Sequence, residues 1–268
     1  MPAKLADKVI VIIGGTTGLG LSAAKACVDA GARLVVVGRD PDHVGQAGIA
    51  LGASAEAWAA DAAQPQTAPA AIQMALKRFG GFHGLYHVAG GSGRKMGDGP
   101  LHEVTDQGWE FTLNLNLTSL FYSNRAALQQ FLRQGTGGAI LNMGSVLGFS
   151  PSPRFFGTHA YTAAKAAIIG LTQSAAAYYA PKNIRFNVLA PALVATPMSA
   201  RAQNDPAVLD YIASKQPLDG GRMGTPSDLD AAAIYFLSDD SRFVTGQVLA
   251  VDGGWSVSEG QHGHGGAD

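Results

Sequence analysis

Short β-branched runs alternate with longer amphipathic stretches along almost the whole chain. Lys8 to Ile13 is such a run, ending at a glycine cluster, the pattern of a strand buried on both faces of a parallel sheet. Gly18 to Ala30 follows as a helix, stopped by Gly31 at the position where a left-handed backbone closes a helix. The pattern predicts strands over Arg33–Val37, Ala55–Ala60, Gly84–Val88, Gly138–Met143, Ile184–Ala190 and Gln247–Val251. Between them it predicts helices over Thr67–Phe79, Thr105–Arg133, His159–Ala180 and Ser227–Leu237. Alternation of this kind gives an α/β fold, a doubly wound parallel sheet with helices on both faces. No short-period repeat and no linker divides the chain, so one domain is expected over residues 1–258. Residues 259–268, glycine-rich with His262 and His264, read as a frayed polar tail rather than a metal site.

Composition narrows the function classes. The chain has 268 residues, 47% apolar and 15% charged, with 35 glycines, which suits a large core joined by tight turns. A formal net charge of -1 gives no general attraction to nucleic acid or to an anionic membrane surface. The single cysteine, Cys27, leaves no intrachain disulfide or cysteine metal cluster, and it falls on the apolar pattern of the first helix. The longest unbroken aliphatic run, Val9–Ile13, is far below the ~20 residues of a membrane span. Met1-Pro2-Ala3-Lys4 leads straight into a strand pattern without a signal peptide, so the cytoplasm is the expected setting.

The chemistry begins where the first strand ends, at Gly14-Gly-Thr16-Thr17-Gly18-Leu19-Gly20. Glycines on a strand–turn–helix let the backbone approach a pyrophosphate, whose charge then sits at the helix N-terminus. The second strand ends Val37-Gly38-Arg39-Asp40. An acidic residue there, about 20 positions past the glycines, would grip the ribose hydroxyls of NAD. Instead Gly38 leaves space, and Arg39 offers a planar cation matched to a 2′-phosphate, which favours NADP(H) with NAD(H) as the alternative. The competing reading of Arg39 is a solvated turn residue paired with Asp40 or Asp42. Asp61, after the third strand, stands either against the adenine or as a helix N-cap.

Tyr161 and Lys165 lie four apart in an alanine-rich helical run and so share a face. A free tyrosine titrates near ~10, and a neighbouring cation should lower that value toward neutrality. Isolated, this spacing is common on helix surfaces. With the glycine turn it resembles the short-chain dehydrogenase/reductase family in its compact form, from about Lys8 to Trp255. The resemblance implies a Rossmann-type sheet of about seven strands in the order 3-2-1-4-5-6-7. It also implies a catalytic set of Ser145, Tyr161, Lys165 and Asn116. Tyr161 would exchange the proton, Ser145 would hydrogen-bond the substrate oxygen, Lys165 would act on Tyr161 and the cofactor ribose, and Asn116 would anchor a water. The cofactor set expected is Gly14, Thr16, Thr17, Gly18, Leu19, Gly20, Arg39, Asp61, Ala62, Ala89, Gly90, Pro191, Val194 and Thr196, with Tyr161 and Lys165.

Four positions in three places depart from the family pattern: Ile13 for threonine, His87-Val-Ala89-Gly90 for Asn-Asn-Ala-Gly, and Ala192 for glycine. His87 reads as a satisfied histidine at a strand end. The segment between Ser145 and Tyr161 is long and carries Phe149, Phe155 and Phe156, which with Leu193, Met198 and Tyr211 form the expected pocket for a partly apolar substrate. Met198 to Met223, broken by Asp-Pro, Gln-Pro and Gly-Gly, reads as a mobile lid. Arg94 and Lys95 read as solvated surface charge, with steering of an acidic substrate as the alternative. Leu120, Phe121, Ala167 and Gly170 look exposed on the two helices through which the family often assembles, implying a homotetramer or dimer.

The expected activity is NAD(P)-dependent interconversion of a ketone or aldehyde and a secondary alcohol, without a metal, acting on a small molecule. The alternatives are an NAD-dependent alcohol dehydrogenase, a non-catalytic NADP-binding protein, and a nucleotide-sugar epimerase or dehydratase. The last usually carries a further substrate domain.

Overall fold

A computed structural model describes residues 3–260; the tail histidines His262 and His264 lie outside the described residues. Seven parallel strands form one sheet in the order β3-β2-β1-β4-β5-β6-β7. They are β1 (Val9–Ile13), β2 (Arg33–Gly38), β3 (Ala55–Ala59), β4 (Gly84–His87), β5 (Gly138–Met143), β6 (Ile184–Pro191) and β7 (Val248–Val251). The helices are α1 (Gly18–Asp29), α2 (Pro41–Leu51), α3 (Thr67–Phe79), α4 (Asp106–Leu113), α5 (Ser119–Gln134), α6 (Pro153–Phe156), α7 (His159–Tyr179), α8 (Ala200–Gln203), α9 (Pro206–Lys215) and α10 (Asp230–Leu237).

The period of two along each strand assigns its side chains to two separate cores. Ile10 and Ile12 of β1, Leu34 and Val36 of β2, and Leu141 and Met143 of β5 pack with α1 and α10 on one face. Val9, Val11 and Ile13, with Val35, Val37 and Ile140, pack with α3 and α5 on the other. That is why β1 is buried at all five positions and reads as an unbroken apolar run. Cys27 lies in the first of these cores. A third cluster, under α8 and α9, joins Val146, Leu147, Val208, Ile212 and Trp255.

Several elements differ from the sequence reading. Helix α2 has no counterpart there because Gly45 and Gly48 blur its pattern. Its start signal is nonetheless present, since Asp40 accepts hydrogen bonds from the Asp42 and His43 amides and Pro41 opens the first turn. The long helix expected over Thr105–Arg133 is interrupted by one wide π turn, Asn114–Thr118, between α4 and α5. The segment read as a lid folds into α8 and α9, the latter capped by Asp205. Leu120 is buried against Ile168, Val188 and Ala190, and only Phe121, Ala167 and Gly170 of the exposed set are exposed. The cause is rotation: the wide turn sets the phase of α5, so Leu120 points to β6. Among the described residues no helix is long and apolar enough to cross a membrane.

Residues 258–260 are tied to α9. Ser258 Oγ donates to Ser214 O at 2.8 Å, Ser214 Oγ to Gly260 O at 3.0 Å, and Lys215 Nζ to Ser258 O. The Trp255 indole donates to Ser150 O at 3.1 Å. On the opposite side of the fold Phe131 stacks on Phe82 with centroids 4.7 Å apart and fills the space over Gly138. Phe131→Ala should therefore cost about 3–5 kcal/mol, checked as a lower urea midpoint at unchanged slope.

Candidate active site

The C-terminal ends of β1, β2, β4, β5 and β6 open into one cleft of about 680 Å³. That is the place where a doubly wound sheet binds its ligands, and the volume suits a small-molecule site. Gly14, Thr16, Thr17, Gly18, Leu19, Arg39, Asp61, Ala62, Ala89, Gly90, Pro191, Val194 and Thr196 all line it, as do Ser145, Tyr161 and Lys165. Gly20 does not. A side chain there would meet Gly14 O at 1.9 Å, so this glycine lets α1 pack against the turn rather than facing a ligand. Gly14 is required by a φ of 89° and by Ala89 N, which lies 2.5 Å from where a Cβ would stand.

Gly38 has a different reason than open space. A Cβ on it would lie 1.9 Å from Thr16 Oγ1, so the Thr16 side chain crosses the position a ribose-binding carboxylate would need. Arg39 is exposed at the cleft, and among the described residues neither Asp40 nor Asp42 pairs with it. Asp61 does not cap α3; its Oδ1 accepts from Ala63 N at 2.9 Å in a local turn. The glycine turn, the uncompensated guanidinium and the close backbone at Ala89 and Gly90 fit a dinucleotide.

Ser145 follows β5, and its hydroxyl accepts from Leu147 N at 3.2 Å while lying near enough to the Tyr161 phenol to favour its charged form. Tyr161 and Lys165 share a face of α7, with Lys165 Nζ 5.5 Å from the phenol ring centre. Lys165 is buried and donates to Met143 O at 2.9 Å. Burial pulls its pKa down to about 8. The phenol goes the opposite way from the expectation. Burial pushes Tyr161 up to about 12, the nearby Ser145 hydroxyl offsetting only part of this. Tyr161 keeps part of its surface open to the cleft.

Asn116 is fully buried behind the lining rather than in it. Its side chain accepts from Gly91 N at 3.0 Å and donates to Gly91 O and Thr112 O, both at 2.9 Å. The π turn rotates this amide toward the loop after β4, and the side chain is engaged there by the protein itself. At the other end of the same loop stands a residue that sequence reasoning missed. Asp98 is buried, and its two oxygens accept from Ala160 N and Tyr161 N at 3.0 Å each. It caps α7 in place of Thr158, which offers no side-chain bond. No sequence signal links residues this far apart.

Of the pocket residues expected from sequence, Phe156, Leu193 and Met198 line the cleft; Phe149, Phe155 and Tyr211 do not. Phe149 is exposed. Phe155 packs on Tyr211 at 5.3 Å, and Tyr211 meets Trp255 at 5.9 Å and Ser152 Oγ at 2.8 Å. Trp255, Arg94, Lys95 and Arg201 take their place in the lining.

A family model described as enoyl-(acyl carrier protein) reductase matches residues 14–256. The chain is 34% identical over 257 residues to 2,5-dichloro-2,5-cyclohexadiene-1,4-diol dehydrogenase of Sphingobium indicum, covering 95% of this chain and 99% of the relative. The chain belongs to the short-chain dehydrogenase/reductase family. A second member, 2-(S)-hydroxypropyl-CoM dehydrogenase 3 of Xanthobacter autotrophicus, is 35% identical over 264 residues, 96% of this chain and 100% of that one. The structure of a short-chain type dehydrogenase/reductase from Mycobacterium ulcerans superposes with a TM-score of 0.86 at 31% identity, covering 95% of this chain and 92% of that chain. As a family member the protein is an oxidoreductase of alcohols and ketones that binds NAD(P). Among the described residues no group of three or more His, Cys, Asp or Glu is placed to hold a metal.

The family's departure at His87 is accommodated inside this short-chain dehydrogenase/reductase. His87 is buried, with Nδ1 2.6 Å from Ser123 Oγ and Nε2 3.4 Å from Ser119 Oγ. Burial first, and then the Lys165 charge, lower its pKa from 6.5 to about 3. Between those values the unfolded chain binds the extra proton and the folded one does not, so stability falls as pH drops from about 6.5 toward 3. His87→Asn should flatten that fall, read as a smaller loss of melting temperature between pH 7 and about pH 4.

Proposed function

We propose that this protein reduces a ketone to a secondary alcohol with NADPH, Tyr161 giving the proton. The observation that carries the reading is the convergence of Ser145, Tyr161 and Lys165 on one wall of the dinucleotide cleft. A bound nicotinamide supplies or accepts hydride at the substrate carbon; the chain's own residues handle the proton and the charge. With its pKa near 12, the Tyr161 phenol holds its proton at neutral pH and is poised as an acid. Ser145 donates to the oxygen on which negative charge grows. Lys165 stands beside the phenol and favours the phenolate left after transfer. Asn116 acts by holding Gly91, and Asp98 by fixing the first turn of α7 at Tyr161. The same set run in reverse oxidises an alcohol, the direction named for the Sphingobium and Xanthobacter relatives.

The preference for NADPH over NADH is supported by Arg39, which has no ion-pair partner among the described residues, and by Thr16 lying across Gly38. Exposed Phe121, Ala167 and Gly170 on α5 and α7 support assembly as a homotetramer or dimer, and we read the setting as cytoplasmic.

Tyr161→Phe should lower turnover by about a hundredfold to ten-thousandfold while NADPH still binds with wild-type affinity. Near-normal turnover in that variant would remove Tyr161 from the mechanism. Arg39→Ala should weaken NADPH about ten- to hundredfold and leave NADH unchanged, measured by titrating the cofactor fluorescence. Equal weakening of both cofactors would sink the NADP assignment.

A further inference from the structure

Two guanidinium groups meet at the substrate end of the cleft. Arg94, from the loop after β4, donates through Nη2 to the Phe155 carbonyl at 3.0 Å. Arg201, from α8, donates through Nη2 to the same oxygen at 3.3 Å. Both line the cleft together with Lys95, Phe156 and Met198. Three separate segments are thus brought to one neutral oxygen, which supplies no negative charge for two cations. Burial, and then the nearness of Arg201, hold the Arg94 guanidinium below its ordinary pKa.

The carboxylates nearby are committed elsewhere. Asp98 favours the Arg94 charge, but its oxygens accept from the amides of Ala160 and Tyr161. Asp205 approaches Arg201 Nη1 only at 4.0 Å, and its other oxygen caps α9. Each guanidinium has five N–H donors in a planar fork, so most remain for a ligand. A fork pair of this kind recognises the planar or tetrahedral oxygens of an anion by charge-assisted hydrogen bonds.

We propose that Arg94 and Arg201 form an anion subsite, so that the substrate carries a carboxylate or comparable oxyanion at the end remote from its reacting carbonyl. This rests on the oxidoreductase reading above, and it narrows the substrate class to oxo and hydroxy acids.

The test compares oxo acids from 4-oxopentanoate to 7-oxooctanoate with their methyl esters and with the matching oxo sulfonates. Wild type and the variants Arg94→Gln and Arg201→Gln are assayed with NADPH, and binding of the same acids is read by calorimetry in the presence of NADP. Glutamine keeps a donor for the Phe155 carbonyl while removing the charge. The expected result is at least a tenfold preference in kcat/KM for one acid over its ester. Each variant should lose that preference through a higher KM for the acid, with the ester's kcat/KM changed much less than the acid's and Arg94→Lys restoring part of the difference. Preference for the sulfonate over the carboxylate identifies the oxyanion while upholding the subsite. Equal use of acid and ester, or a preference that survives in both variants, overturns the subsite and leaves the oxidoreductase reading standing. Acid binding that depends on Arg201 without any turnover upholds the subsite and fails the carbonyl-reduction reading instead. No acid binding and no difference among the variants overturns the subsite.

Discussion

The buried ammonium of Lys165 is the constraint around which the rest of the site is arranged. Among the described residues it has no carboxylate partner, and its protein hydrogen bond is to the Met143 carbonyl. A cation in such a place is costly, and the cost appears as a pKa drawn down to about 8. Its surroundings follow from it. His87 stays neutral beside it, Tyr161 lies over it on the same helix face, and Gly90 nearby leaves room for the Asn116 amide. A fixed carboxylate would relieve the charge, but it would also hold the phenol's proton more tightly. The protein leaves the ammonium in the wall of the cleft instead.

That arrangement requires α7 to be held at one height along β5, and the loop after β4 does the holding. Asn116 pairs with the Gly91 peptide at one end, and Asp98 caps the helix at the other. Both contacts are made by buried polar side chains with their bonds satisfied, which gives a specific geometry rather than a merely compact one. The wide turn Asn114–Thr118 is the local irregularity that lets Asn116 reach the loop while α5 keeps its apolar face on the sheet.

The sheet was legible because parallel strands buried on both faces read as unbroken aliphatic runs, and Val9–Ile13 is such a run. The glycine turn and the Tyr161–Lys165 pair were legible because each is a local chemistry at fixed spacing. What escaped depends on contacts between distant segments. Asp98 reads as an ordinary loop residue until it is seen against α7, and Leu120 reads as exposed until the wide turn sets its direction. Aromatic residues near Ser145 suggested a pocket wall, but Phe155 and Tyr211 serve each other and Trp255 from behind. The raised phenol pKa escaped for the same reason. Spacing shows that a cation is near; only the fold shows how little water remains.

The bonds between Ser214, Lys215, Ser258 and Gly260 make residues 258–260 a tether for α9. The same segment is held on its other side by Trp255, which donates to Ser150 O and packs edge-on against Phe156. The Gly253-Gly254 pair, with φ values of 60° and 94°, makes the turn that brings this segment back against α9, a backbone path that a side-chain-bearing residue would resist. One flank of the cleft is thus built jointly by two stretches of sequence about forty residues apart, and a packing change in either is felt by the other.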